Sequence, residues 1–176
     1  MEMGAKIIGT GSYLPKETID NEYLSTIVDT NDEWIQSRTG IHIRHINKSG
    51  TTASMAVSAS LYALENAAVS PKQLDMILAA TMSPDSPLPN ISCEVQKEIG
   101  AVNAVCFDIN AACSGFLFSL NTAYAYIQSG LCKTILVIGA ETLSRIVNWK
   151  DRSTCILFGD GAGAAVIQTC KDSPMY

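Results

Sequence analysis

Alternating apolar runs and helix-period segments predict an α/β protein: a mostly parallel sheet with helices on both faces. Three observations carry this. Leu74–Thr81 and Thr134–Ala140 are continuous apolar runs of strand length, the pattern of strands buried on both faces. Between such runs lie segments with apolar residues at helical spacing, among them Ile91–Ile99 and the set Phe116, Leu117, Leu120, Ala123, Tyr124 and Ile127. Gly40 and Gly100 stand where two of the helical segments stop, as glycine does after a helix C-terminus.

The elements follow in order. Ala5–Gly9 is a first strand. Asn21–Val28 and Asp32–Arg38 are short helices. Ile41–Ile46 alternates and reads as an edge or hairpin strand. Thr52 is expected to cap a long helix to Ala68, with Ala56, Ala59, Ala63 and Ala67 forming a small-residue stripe for close packing. Pro84, Pro87 and Pro89 mark a loop after the Leu74–Thr81 strand. Ala104–Ile109 is a short strand leading into the Phe116–Ile127 helix, and Ala162–Thr169 is the last strand. No linker, repeat or low-complexity segment divides the chain.

Composition narrows the function classes. With 176 residues, 47% apolar and 16% charged, the chain has the material for one full core and is not of the disordered class. A net charge of −5 argues against nucleic acid as a partner. No apolar stretch reaches the roughly 20 residues of a membrane span, and Met1–Gly9 lacks the layout of a secretory leader. Six cysteines without CxxC pairing, beside two histidines, give no metal pattern, and unpaired thiols suit a reducing cytoplasm.

One cysteine stands apart. Cys113 falls where the Ala104–Ile109 strand turns into a helix, among the small residues Ala111, Ala112, Ser114 and Gly115. The first free N–H groups of a helix and the positive end of its dipole favour a thiolate there, and small neighbours leave space for a substrate. That is a setting for covalent catalysis through a thioester. Most free cysteines are inert packing, and Cys106, Cys132 and Cys155, in or beside apolar stretches, are read that way.

Two rival motifs are weaker. Gly159–Ala164 fits the letters of a dinucleotide fingerprint, but its glycines precede an apolar run instead of opening a helix, so a tight turn feeding a strand is expected. Ala111-x-Cys113-x-Gly115 resembles a hydrolase nucleophile elbow, which needs a histidine later in the chain. Both histidines, His42 and His45, come earlier. Period-2 alternation puts His42 with Arg44 on one face of a strand, and His42 is read as part of a solvated face.

Three segments together carry a family resemblance. Asp108–Phe116, Thr30–Ile41 and Asp151–Ala165 are similar, in the same order, to segments of the beta-ketoacyl-[acyl-carrier-protein] synthase III family, and the similarity runs from Ala5 to Thr169. The resemblance implies one half of a thiolase-like fold, with residues 1–176 as the N-terminal half that carries the nucleophile. It implies an acyltransferase that moves an acyl group, typically acetyl, from coenzyme A to Cys113 and condenses it with malonyl-acyl-carrier protein to start fatty-acid synthesis. Coenzyme A enters as a thioester substrate, and no cofactor is implied. Trp34 and Arg152 match the pair that stacks on adenine, Arg38 the residue near the phosphates, and Thr30 a neighbour on the same entry. Leu88 matches the residue that walls the acyl pocket across a homodimer interface, and Leu143 lines the same channel. The family's histidine and asparagine, which steady the developing negative charge, belong to a C-terminal half with no counterpart here, so this half alone is expected to be incomplete. The other readings are a cysteine-nucleophile α/β-hydrolase and an inactive half that scaffolds or dimerises.

Overall fold

The computed structural model describes residues 4–171; the first three residues of the Met1–Gly9 segment lie outside it. The order is β1 (Gly4–Tyr13), β2 (Thr18–Asp20), α1 (Asn21–Ser25), α2 (Asp32–Thr39), β3 (Ile43–His45), α3 (Thr52–Ala67), β4 (Met76–Ala80), α4 (Ile91–Ile99), β5 (Val105–Ile109), α5 (Gly115–Gln128), β6 (Thr134–Thr142), α6 (Arg152–Cys155) and β7 (Asp160–Cys170). Short 3₁₀ turns cover Pro71–Gln73, Ala112–Ser114 and Leu143–Arg145.

Five strands form one sheet in the order β1-β7-β6-β4-β5. β4 pairs parallel with β5 and β6, while β7 runs antiparallel between β6 and β1. β1, β6, β4 and β5 therefore point one way and β7 alone opposes them. The sheet is mostly parallel in direction and mixed in pairing.

Period-2 side-chain alternation divides the core. Ile77, Ala79, Leu136, Ile138 and Val166 face α3 and α4. Met76, Leu78, Ile135, Val137 and Ile167 face α5. This is why β4 and most of β6 read as unbroken apolar runs: neither face meets water. β5 is the exception. It lies at the sheet edge, its Val105 is exposed, and Cys106 is only partly buried. The side of α5 away from the sheet also leaves Leu117 and Phe118 exposed.

The alanine stripe of α3 packs closely, as expected, and the structure supplies its partner, β1. A Cβ at Gly9 would lie 2.5 Å from the Ala67 nitrogen, and one at Gly11 would run into the backbone of Ala59 and Ala63. Helix and strand backbones touch there because both partners lack bulk.

Several boundaries differ from the sequence reading. Thr51, not Thr52, caps α3: its Oγ1 accepts from the Ser54 N–H at 2.9 Å, and Ser54 Oγ accepts from the Thr51 N–H at 3.0 Å. Either threonine satisfies the sequence rule, and the choice falls to Thr51 because the Thr52 hydroxyl is buried against Ser83 and Thr142. α1 ends at Ser25 instead of Val28. β1 extends to Tyr13 and β7 begins at Asp160, so Gly161 and Gly163 lie inside a strand rather than in a turn. β7 has hydrogen-bonding partners on both sides, which hold glycine extended despite its low strand preference.

A small second layer holds the segments before α3. β2 and β3 pair antiparallel, Ile19 opposite Arg44. Arg44 is 3% exposed, which overturns a solvated face at this position. Its guanidinium donates to Asn21 Oδ1 at 2.6 Å and to the Ile156 carbonyl at 2.9 and 2.6 Å. His42 precedes β3 and is exposed, while His45 is half-buried with Nδ1 2.6 Å from the Pro15 carbonyl. Leu24, Ile35, Cys155 and Ile156 make a satellite core that ties α1, α2 and α6 together.

Gly9→Ala is expected to destabilise the chain by about 1–3 kcal/mol through overpacking against α3. A thermal melt would show a Tm lower by about 2–4 °C per kcal/mol, while Lys6→Ala, an exposed change on the same strand, would leave it unmoved.

Candidate active site

β5 ends at Ile109, and the chain reverses through Asn110 and Ala111 into the 3₁₀ turn that holds Cys113. Ala112 has φ +46°, a left-handed conformation that costs a non-glycine residue of order 1 kcal/mol or more. The strained turn leaves Cys113 exposed directly before the first turn of α5. Small residues let that turn sit low on the sheet. A Cβ at Gly115 would approach the Ala80 Cβ at 3.1 Å, and one at Gly139 would meet the Phe116 ring at 3.3 Å.

Cys113 opens into a pocket of about 780 Å³. Met82, Phe116, Leu143, Ile146 and Phe158 give it apolar walls, and Gly139, Gly161 and Gly163 add no side chains. Gly139 of β6, with Gly161 and Gly163, whose dinucleotide-like spacing concealed this purpose, keeps the sheet surface open beside the cysteine. Glu141, Asn148 and Thr154 supply polar groups.

A second feature lies on α2 and α6. The indole of Trp34 is flanked by two guanidinium groups, Arg38 at 4.3 Å and Arg152 at 4.6 Å from the ring centroid. The Trp34 backbone N–H is capped by Asn31 Oδ1 at 2.8 Å, and Arg152 Nη1 donates to the Asp29 carbonyl at 2.9 Å. Thr30, between Asn31 and Asp29, has a buried hydroxyl oxygen without a hydrogen-bond partner. The structure therefore gathers Thr30, Trp34, Arg38 and Arg152 in one place, although Arg152 lies far along the chain from the other three. The clamp and the pocket share a border: Asn148 and Thr154 line the pocket, while Arg152 between them reaches Trp34.

Carboxylates that hold backbone N–H groups shape the loops around this region, and the sequence reading missed all of them. Asp85 accepts from the Thr52 and Ala53 N–H groups of α3 at 2.9 Å each and pairs with Arg145 at 2.6 Å. Burial opposes its ionisation, but those donors and the Arg145 charge outweigh it and hold the carboxyl below its ordinary value. Asp108 accepts from Ile91 and Ser92 at the start of α4, and Asp160 from Asn47 and Ser144. Glu141 accepts from the Met82 N–H at 2.8 Å. The only advance signal was an acidic residue in or beside each apolar run.

Leu143 lines the Cys113 pocket, whereas Leu88, at the tip of the proline loop, is 81% exposed and outside that lining. Neither histidine lines the pocket, so Cys113 has no imidazole partner there. Cys132 and Cys155 are buried, and burial pushes both thiols up. Cys106, desolvated on the inner face of β5 and close to Cys93, is pushed up to about 12. In timed iodoacetamide labelling at pH 8 read by peptide mass spectrometry, Cys113 is expected to alkylate well ahead of Cys106, Cys132 and Cys155; equal rates would contradict this assignment.

A sequence model of 3-oxoacyl-[acyl-carrier-protein] synthase III matches residues 107–175, a range that includes the Cys113 turn and β7. A beta-ketoacyl-[acyl-carrier-protein] synthase III of Clostridium acetobutylicum is 54% identical over 163 residues, 93% of this chain and 50% of the relative. The crystal structure of 3-oxoacyl-[acyl-carrier-protein] synthase III from Aquifex aeolicus superposes with a TM-score of 0.94 at 52% identity, covering 96% of this chain and 55% of that one. The priming beta-ketosynthase of the R1128 polyketide pathway superposes at 0.93 with 38% identity, covering 98% and 52%. The chain spans about half the length of the relatives it matches. At that identity, and on the same strands and helices, this chain is similar to about half of a beta-ketoacyl-[acyl-carrier-protein] synthase III.

Proposed function

We propose that this chain is the acyl-accepting part of a priming condensing enzyme. The Cys113 sulfur attacks the carbonyl of an acyl-coenzyme A, the bond to the coenzyme A sulfur breaks, and the acyl group remains on Cys113 while coenzyme A leaves as its thiol or thiolate. Malonyl-acyl-carrier protein then loses carbon dioxide, and its carbanion attacks the Cys113 thioester, forming a carbon–carbon bond and releasing the thiolate. The observation that carries this reading is an exposed cysteine on a strained strand-to-helix turn, at the wall of an apolar pocket that borders an indole–guanidinium clamp. The pocket suits an acyl chain and the clamp suits the flat base of a nucleotide.

In this reading Trp34 and Arg152 hold adenine, Arg38 meets phosphate, and Thr30 offers its unpartnered hydroxyl at the same entry. Arg38 and Arg152 both lie over the indole, and adenine joins the stack they form with it. No separate cofactor is required. A homodimer and a second thiolase-like half complete the site. The exposed apolar residues Leu117, Phe118 and Val105 support such contacts, and Leu88 would reach an acyl pocket across them. The negative charge that builds during decarboxylation is stabilised by donors of that second half.

Intact-mass measurement after incubation with acetyl-coenzyme A tests the first step: an acetyl adduct is expected on the chain and absent from Cys113→Ala. Labelling that persists in the variant removes Cys113 from the nucleophile role, and steady release of acetate favours a hydrolase. Trp34→Ala and Arg152→Ala are each expected to weaken coenzyme A binding by about 1–2 kcal/mol in calorimetric titration; unchanged affinity in both would return Trp34 to a packing role.

A further inference from the structure

Among the described residues lining the Cys113 pocket, Glu141 is the one carboxylate, and its oxygens are turned to a loop instead of being left for a substrate. It sits near the end of β6, and its oxygens accept three donors from one short segment: the Met82 N–H at 2.8 Å, the Ser83 hydroxyl in a short bond, and the Thr81 hydroxyl at 3.4 Å. Ser83 Oγ in turn accepts from the Thr142 N–H at 2.8 Å. The Thr52 hydroxyl donates to the Ser83 carbonyl at 2.8 Å, so the 2.7 Å contact between the Thr52 and Thr142 hydroxyls has Thr142 as donor. Thr52, Ser83 and Thr142 are all buried, and every one of these hydroxyls is satisfied. The base of the proline loop is thereby fixed to β6 and α3. The one side chain of that base lining the pocket is Met82, an unbranched and adaptable group whose backbone N–H is held by Glu141.

We propose that Glu141 is a positioning residue that sets the mouth of the Cys113 pocket, holding the Thr81–Ser83 backbone so that Met82 forms a wall. Glu141 thus selects which acyl chains reach Cys113, although it touches none of the reacting atoms. This rests on the acyl-site reading of the pocket. Glutamine can keep the same two-ended hold, accepting from the Met82 N–H through its carbonyl and donating to Ser83 through its amide. Alanine cannot.

The test uses the whole chain and probes that do not depend on acyl chemistry. Maleimides add the Cys113 thiol across their carbon–carbon double bond, forming a sulfur–carbon bond and placing the proton on the neighbouring carbon. Rates with N-ethylmaleimide and N-octylmaleimide are read on the peptide carrying Cys113. In Glu141→Ala the octyl-to-ethyl rate ratio is expected to rise on the order of tenfold, the scale at which apolar pockets discriminate chain length. It should stay near the parent value in Glu141→Gln. Met82→Ala, which removes the wall and leaves the hydrogen bonds intact, should raise the ratio in the same direction and serves where Glu141→Ala does not fold. A change of both rates by one common factor in Glu141→Ala, an unchanged ratio in Met82→Ala, or a Gln variant as altered as the Ala variant overturns the proposal. Acetyl-coenzyme A labelling of the parent chain, run in parallel, judges the acyl-site reading separately.

Discussion

Carboxylates holding backbone N–H groups organise the end of the sheet on which the site is built. A helix start or a sharp loop leaves N–H groups without partners, and burying them unpaired costs about 1–3 kcal/mol each. Here Asp85 takes two such groups from α3, Asp108 two from α4, Asp160 one from Ser144 and one from Asn47, and Glu141 one from Met82. Each acid belongs to an element other than the one it caps. Each bond therefore joins two pieces of chain as well as satisfying a donor, and hydrogen bonds to a charged group are the stronger kind. With pKa held low, the Asp85 carboxylate adds stability above its unfolded value, and this stability is lost as pH falls through the folded one.

That framework lets the site carry strain. The positive φ of Ala112 is tolerable because β5 before it and α5 after it are both pinned, the one by sheet pairing with β4 and the other by the close seats of Gly115 on Ala80 and of Phe116 on Gly139. The result is a cysteine offered to solvent from a rigid base. Glycines in β6 and β7 then do by absence what Met82 and Leu143 do by presence: they decide where the pocket is open and where it is walled.

Two chemically different surfaces are brought within one loop of each other. The apolar pocket is a product of the main sheet, whereas the Trp34 clamp belongs to the satellite core of Leu24, Ile35, Cys155 and Ile156. Arg44 is the bolt within that smaller layer, its buried guanidinium spanning Asn21 at the start of α1 and the Ile156 carbonyl after α6. A charge in that position is stable because its donors are matched by three acceptor contacts, and burial still depresses its pKa.

By itself the sequence determined the period-governed parts of this protein. Unbroken apolar runs identified β4 and β6 because two-faced burial leaves no polar positions, and α2 and α4 stopped at their glycines because both adopt the left-handed conformation. Cys113 was legible from its strand-to-helix setting, and the clamp residues from their motifs. What tertiary structure alone decided was which polar groups turn inward. Arg44 and His42 share a local alternation, yet one is buried and the other in solvent, because only Arg44 finds acceptors on distant segments. Thr51 and Thr52 are equal candidates for a cap until Ser83 and Thr142 claim one of them. The Glu141 and Asp85 contacts join residues about 30 to 60 positions apart, and local patterns carry no information about such pairs, since their partners become neighbours only once the sheet has formed.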